Sequence, residues 1–294
     1  MKKKIAIIGS GVVGSATGAG FLTKGHEVVF YDVQEKTIDS LRKKGYTAQH
    51  IDELDVEKSE AFFFVVPTPT EKDRINLTYL KKAAQTLGRK LKKRQGYFVV
   101  VVRSTVLPRT TEDLVVPIIE KASGKKAGRD FGVSMNPEYL REVSAEDDFQ
   151  KPWLITIGSL DEKTKEFMLE IYHSMECPVH HVSLREAEMQ KYVHNLYNAA
   201  KIAFFNEMRL VGHQLEINPD KIFNITADSA EGFWNKSYGL KDFGPFDGMC
   251  LPKDTQALLD WSKKQHIKMD LLGGVISANK KFKDFWQKYN KKVV

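Results

Sequence analysis

The segment Gly248-Met-Cys250-Leu-Pro-Lys253-Asp254 gathers the groups best suited to covalent chemistry. A thiol between a glycine and a Lys-Asp pair, just ahead of a helical pattern, lies where a helix start favours the thiolate, the nucleophilic form. For Cys250 alone, a structural thiol is the equal alternative. The second cysteine, Cys177, sits beside Pro178 without such neighbours and reads as an inert, partly buried thiol. Asn136-Pro137-Glu138-Tyr139-Leu140-Arg141-Glu142 looks like a helix start, with Asn as cap and Pro at the first position. In a helix Glu138 and Glu142 would share a face, and two close carboxylates suit a base acting near neutral pH; a solvated helix face is the plain alternative. Lys191, Asn195 and Asn198 recur at helical spacing among the apolar Val193, Leu196, Ala199, Ala200 and Ile202. That pattern fits a polar site abutting a core, where a lysine donates protons and an amide orients a hydroxyl or oxyanion. A surface lysine with structural amides fits it too.

A second constellation concerns a phosphate-bearing ligand. Gly9-Ser-Gly11-Val12-Val13-Gly14 is G-x-G-x-x-G, it follows the apolar run Lys4–Ile8, and Asp32 closes the next apolar run. Together these make the dinucleotide fingerprint. Gly9 permits the tight turn, Gly11 admits the pyrophosphate, and Gly14 lets helix and strand pack closely. The anion then meets the amides and dipole of a helix N-terminus. Asp32 can accept hydrogen bonds from a ribose 2′-hydroxyl and would repel a 2′-phosphate, and Val33 brings no positive charge, so NAD is expected rather than NADP. Val66-Pro67-Thr68-Pro69-Thr70 and Arg103-Ser104-Thr105-Val106 each follow an apolar run. Ligands of open α/β sheets bind at strand carboxyl ends, which places both segments at the cofactor unless they are ordinary strand-exit turns.

The elements that must carry these groups are legible as periodicity. Strands are expected at 4–8, 27–31, 61–66, 97–102, 131–135 and 153–157, alternating with helices up to Lys24, at 34–44, 77–93 and 110–121. Such alternation makes a parallel sheet covered on both faces. After Ser183 the pattern becomes helical: one long helix over 184–213, then 219–227, 254–265 and 271–292. The last carries an aromatic face of Phe282, Phe285, Trp286 and Tyr289, read as packing on the core. The expected fold is therefore α/β: a Rossmann-type, doubly wound parallel sheet in a domain at 1–183, followed by an all-α central, dimerising domain at 184–294.

Composition narrows the class. The chain has 294 residues, 42% hydrophobic and 28% charged, which suits a two-domain globular protein. No apolar run is long enough to span a membrane. The net charge of +7 is spread over clusters such as Lys2-Lys3-Lys4 and Lys90-Leu91-Lys92-Lys93-Arg94. It reads as solvated surface and not as a nucleic-acid site, because no nucleic-acid-binding signature accompanies it. The lysines before Ile5 imitate a signal peptide, but the glycines at 9, 11 and 14 interrupt its apolar region. Two cysteines far apart fit a reducing cytoplasm. No metal site is expected.

At Cys250 these motifs coincide with one family. The chain resembles the UDP-glucose/GDP-mannose dehydrogenases, the nucleotide-sugar 6-dehydrogenases, through Gly9–Gly14 with Asp32, Val66–Thr70, Ser104-Thr105-Val106, Asn136–Glu142, Lys191 with Asn195, and Cys250-Leu-Pro-Lys253-Asp254, in that order. The resemblance implies oxidation of a sugar C6 alcohol to a carboxylate using two NAD, through a thiohemiacetal and thioester on Cys250. It implies that Lys191 and Asn195 stabilise oxyanions, that Asp254 assists proton transfer, and that Thr105, Glu138 and Glu142 position or activate water. Cofactor contacts would come from Gly9, Gly11, Val12, Val13, Gly14, Asp32, Pro67, Thr68, Ser104, Thr105, Glu142 and Lys253. Substrate contacts would come from Tyr139, Leu140, Arg141, Lys191, Asn195 and Gly248. It also implies a homodimer through the helix at 184–213. Two departures stand out. The loop Gly244-Pro-Phe-Asp247-Gly-Met-Cys250 is one residue shorter than the common form, with Asp247 in place of glycine. No arginine in Ser229–Lys236 matches the one that commonly reaches the neighbouring subunit's substrate. Family members usually continue into a third, nucleotide-binding domain, which this reading expects to be absent. The alternatives are a single-step β-hydroxyacid-type dehydrogenase and a non-catalytic NAD-binding remnant.

Overall fold

The computed structural model describes residues 2–240 and 245–290, apart from the side chains of Glu142 and of residues 285–290. It forms two compact units, 1–194 and 195–294.

In the first unit the strands are β1 (Lys4–Ile8), β2 (Glu27–Asp32), β3 (Ala48–His50), β4 (Ala61–Phe64), β5 (Thr70–Glu71), β6 (Arg74–Ile75), β7 (Val99–Val102), β8 (Gly132–Met135), β9 (Ile155–Ser159) and β10 (Val179–Val182). The helices are α1 (Val12–Thr23), α2 (Glu35–Lys43), α3 (Thr78–Lys90), α4 (Val116–Ser123), α5 (Ala145–Gln150) and α6 (Glu162–Tyr172). The main sheet has the order β10-β9-β8-β7-β4-β1-β2-β3, and β5 and β6 form a separate hairpin. Apart from the exposed Lys4 that opens β1, the central strands β1, β4 and β7 are apolar at every position and buried on both faces, as parallel strands covered by helices must be. Their pleat sends alternate residues to two cores. Ala6, Ile8, Phe62, Phe64, Val100 and Val102 meet Leu80, Ala84 and Leu87 of α3 and Ile119 of α4. Ile5, Ile7, Phe63, Val99 and Val101 meet Phe21 of α1, Ile38 of α2, Phe149 of α5 and Met168 of α6.

The sheet is not wholly parallel as expected. β8 and β9 pair antiparallel, while β10 returns parallel to β9. The helix expected from Asn136 is also corrected. Residues 136–141 are irregular, a 3-10 turn covers Glu142–Ser144, and α5 begins only at Ala145. Asn136 does not cap a helix because tertiary partners take its side chain. Its Nδ2 donates to the Thr156 carbonyl at 2.8 Å, and its Oδ1 accepts from Tyr172 Oη at 2.6 Å and from Arg103. Glu138 and Glu142 therefore share no helix face.

The long helix α7 (Leu184–Gln214) is continuous, and the boundary between the units falls within it. The second unit adds α8 (Pro219–Ser229), α9 (Glu231–Trp234), α10 (Leu251–Lys264) and α11 (Asp270–Asn290). α10 starts earlier than the expected 254, because Pro252 fits a first helical turn. Phe205 on α7 packs edge-on against Phe223 of α8 at 4.7 Å between ring centroids. Glu207 on α7 accepts the Leu271 N–H at 2.5 Å, capping the start of α11. Of the expected aromatic face on α11, Phe285, Trp286 and Tyr289 have side chains outside the described residues. Among the described residues no helix is long and apolar enough to cross a membrane.

Candidate active site

The glycine turn joins β1 to α1 at the point where the strand order reverses, with β2 and β4 on either side of β1. Gly9 has a φ of +92°, and a Cβ there would lie 2.7 Å from the Val65 carbonyl oxygen. A Cβ on Gly14 would lie 2.1 Å from the Gly9 carbonyl oxygen, so turn and helix are in backbone contact. A Cβ on Gly11 would meet open space. This is the cradle a pyrophosphate needs: two glycines close the turn and the third leaves the ligand's side clear. Gly11 caps α1 without a side-chain bond, so the first amides of Val12 and Val13 are open to an anion with no competition from a capping side chain.

Asp32 ends β2 beside that turn. Its Oδ2 accepts the Ser10 N–H at 2.7 Å and its Oδ1 the Gln34 N–H at 2.9 Å. The carboxylate is thus fixed by backbone, leaving its remaining lone pairs for a ribose hydroxyl. Ser104 Oγ donates to the Val66 carbonyl at 2.7 Å, and Thr68 Oγ1 donates to the Thr105 carbonyl at 2.7 Å. These bonds tie together the exits of β4 and β7. Gly9, Gly11, Val12, Val13, Gly14, Asp32, Pro67, Thr68, Ser104 and Thr105 all line one cleft of about 810 Å3, which Glu138 also reaches. That volume lies within the roughly 300–1,000 Å3 usual for cofactor sites. Tyr79, Lys82 and Thr86 of α3 line it too and were missed, since a helix face carries no motif.

Lys191 is 5% exposed, which excludes the surface reading. Its Nζ donates to the Glu138 backbone carbonyl and, at 3.1 Å, to Glu138 Oε1. Glu138 Oε2 accepts the Leu140 N–H at 2.6 Å. The lysine thus holds the irregular segment 138–140 against α7 through a nearly dry ion pair, where removing one partner costs about 3–5 kcal/mol. Tyr139 Oη bonds Thr156 Oγ1 at 2.8 Å and donates to Gln190 Oε1, and burial pushes its phenol above the usual range. The His194 ring packs tilted against Tyr139, with 4.9 Å between ring centroids. Burial, then the Lys191 charge, hold His194 below the ordinary histidine value, so it is mainly neutral at pH 7. Arg141 forms a two-pronged pair with Asp148, at 3.0 and 2.7 Å, and lies over the Trp153 ring. Glu142 begins the 3-10 turn, and its side chain lies outside the described residues.

Behind this segment Arg103 is 5% exposed and, besides Asn136, reaches Thr17 Oγ1 at 3.1 Å and Tyr172 Oη at 3.4 Å. This buried network pins the exits of β7 and β8 to each other. Gln190, His194 and Tyr172 had no signal in the sequence beyond helical spacing.

In the second unit Cys250 is exposed and is the N-cap residue of α10. Its carbonyl accepts the Asp254 N–H at 2.9 Å, closing the first turn. Asp254 lies in that turn, where its charge suits the helix dipole, and pairs with Lys253. Gly248 holds a φ of +86°, a conformation open to glycine and strained for other residues. Asn195 follows Lys191 by one turn of the continuous α7. Among the described residues no cluster of three side chains could hold a metal.

A doubly wound sheet with a glycine-rich first turn and an acidic second-strand terminus defines an NAD-binding dehydrogenase of the Rossmann type. The sequence profile of the UDP-glucose/GDP-mannose dehydrogenase family matches this chain through its NAD binding domain at residues 3–53 and 42–176 and its central domain at 185–281. The chain belongs to that family. It is similar to GDP-mannose 6-dehydrogenase of Pseudomonas aeruginosa, 32% identical over 297 residues that span 94% of this chain and 68% of that protein. It is also similar to the UDP-glucose 6-dehydrogenase AglM of Haloferax volcanii, at 33% identity over 94% of this chain and 69% of that one. Among solved structures it matches a ternary complex of GDP-mannose dehydrogenase from Pseudomonas aeruginosa, with a TM-score of 0.89, 31% identity, and 94% and 68% of the two chains covered. NAD is the family's cofactor, and the glycine cradle and Asp32 fit it.

Proposed function

We propose that this chain oxidises the C6 alcohol of a nucleotide sugar of the UDP-glucose or GDP-mannose kind to the carboxylate, in two steps that share one covalent thiol. The observation that carries this reading is the exposed Cys250 at the first turn of α10, within the matched central domain. Bound NAD supplies an acceptor for hydride, one equivalent in each step. The alcohol first loses a hydride and its hydroxyl proton to become an aldehyde. Cys250 Sγ then bonds to the aldehyde carbon while a proton goes to the oxygen, giving a thiohemiacetal that again carries a removable hydride. Loss of that hydride and the hydroxyl proton leaves a thioester. Water adds, the thiol leaves with a proton, and the carboxylate is released.

In this scheme Lys191 and Asn195 stabilise the oxyanions by donating hydrogen bonds. Asp254 moves the proton, and Thr105, Glu138 and Glu142 position water. Tyr139, Leu140, Arg141 and Gly248 hold the sugar nucleotide, and Lys253 serves the cofactor. We divide the chain into an NAD-binding domain at 1–183 and a helical domain at 184–294, dimerising through α7, and we place the reaction in the cytoplasm, where the two free thiols stay reduced. The test is NADH release over a panel containing UDP-glucose and GDP-mannose. Two NADH per sugar are expected from the wild type, and Cys250→Ser stops short of the second. One NADH from the wild type points instead to a single-step dehydrogenase. NAD binding without turnover on any sugar points to a non-catalytic remnant.

A further inference from the structure

The nucleophile's loop is held at one end by the first turn of α10, and at the other by α11. Asn279 of α11 bonds both backbone groups of Phe246. Its Oδ1 accepts the Phe246 N–H at 2.8 Å, and its Nδ2 donates to the Phe246 carbonyl at 2.9 Å. A carboxamide carries a donor and an acceptor on adjacent atoms, so the side chain meets both backbone groups of Phe246 as a neighbouring strand would. One turn further along α11, Lys283 Nζ reaches Asp247 Oδ2 at 3.6 Å. Asp247 in turn accepts the Gly248 N–H at 3.0 Å. Gly248, in its left-handed conformation, then turns the chain toward Cys250.

We infer that Asn279 is a positioning residue for Cys250: through its two-way bond to Phe246 it fixes the loop that aims the thiol at the aldehyde. The inference rests on the proposed role of Cys250. The thiol is exposed at the N-cap of α10, so the backbone of its loop sets the direction in which the sulfur is presented. Phe246 is where that backbone is tied on both its polar groups. Thiol addition needs the reacting atoms within about 3–3.5 Å, and a misplacement of about 1 Å costs on the order of 10²-fold. The step that suffers is addition to the aldehyde, and the first hydride removal, which does not use the thiol, is spared.

The test compares Asn279→Ala, Asn279→Asp and Cys250→Ser with wild type in the full chain. Asn279→Ala is expected to lower kcat for carboxylate formation about 10²-fold with KM within about twofold. NADH per sugar falls from two toward one, and hydroxylamine traps the released aldehyde. Amide exchange of the peptide spanning 245–250 rises at least about tenfold, since the Phe246 N–H has lost its acceptor, while NADH affinity is unchanged. Asn279→Asp keeps the acceptor for that N–H and loses the donor to the carbonyl. Its exchange protection is retained, its kcat falls between those of wild type and Asn279→Ala, and it carries the test should the alanine variant fail to fold. Wild-type kcat with two NADH in Asn279→Ala, or a loss confined to KM, overturns the inference while Cys250→Ser still blocks the second NADH. If Cys250→Ser itself yields two NADH, the covalent reading falls and this one with it, whatever the exchange rates show.

Discussion

Asp32 joins two tasks in one carboxylate. Both oxygens accept backbone N–H groups, from Ser10 and Gln34, so the side chain fixes the turn that forms the cofactor cradle before any ligand arrives. It also presents negative charge where a ribose 2′ substituent would sit, and the neighbouring Val33 offers nothing to balance it. Replacing it by asparagine keeps the shape but removes the charge, and it turns an NH2 group toward one of the two amides. Hydrogen bonds to charged groups are worth about 1.5–3 kcal/mol. Asp32→Asn is therefore expected to weaken NADH binding by about tenfold, or about 1.4 kcal/mol. It also narrows the preference over NADPH, because repulsion of the 2′-phosphate is lost. Fluorescence titration with both nucleotides reads this, and an unchanged ratio of the two affinities would show that Asp32 does not set the choice. Lys191 shows the opposite kind of residue. Its type and spacing were visible in the sequence, but its burial and its hold on Glu138 depend on a segment more than fifty residues earlier in the chain.

At the scale of elements, the most plainly legible strands are those whose every residue is apolar, such as Phe62-Phe63-Phe64 and Val99–Val102. Each is buried on both faces, so sequence and environment agree. β3 and β10 were not legible because they are short edge strands, and β10 exposes His180 and His181. The helix read at Asn136 failed for a tertiary reason: Arg103, Tyr172 and Thr156 claim the side chain that local rules assign to a cap. His26 shows how such a tie makes an element sensitive to pH. Just before β2, its Nδ1 accepts the Lys3 N–H at 3.1 Å, so the neutral ring carries its proton on Nε2 and donates to the Ile171 carbonyl at 2.9 Å. Burial above all, with nearby positive charge at the N-terminus, His173 and Lys3, holds its pKa below 6.5. A base with a lower pKa when folded is protonated first in the unfolded chain. Its contribution is whole above about pH 6.5 and shrinks as pH falls from there toward the folded value, by up to about 1.4 kcal/mol per unit. His26→Gln is expected to lower stability at pH 8 yet flatten its decline between pH 6.5 and 5. Urea denaturation at these pH values checks this, and parallel curves for both proteins would exclude His26 as the source.

At the scale of the whole molecule, the two units divide the groups that the proposed reaction uses. The first holds the cleft that fits NAD, and the second carries the thiol. α7 runs through both, and among the described residues it carries exposed apolar side chains. Met189, Val193, Leu196, Tyr197 and Phe204 are all exposed, Leu196 at 62%, and their spacing places them on one stripe. Contiguous exposed apolar side chains on one helix face are the kind of surface that interfaces use. A second copy crossing the same stripe about a twofold axis would bury it against itself, because an isologous contact needs only one self-complementary patch. This stripe supports the proposed homodimer. The wild type is expected to elute at twice the mass of the chain in size-exclusion chromatography with light scattering. Leu196→Glu, which puts a charge at the centre of the stripe and leaves the cofactor cleft alone, is expected to elute as a monomer with unchanged NADH affinity. A monomeric wild type at micromolar concentration would remove the proposed dimer. A dimeric Leu196→Glu would move the contact away from α7.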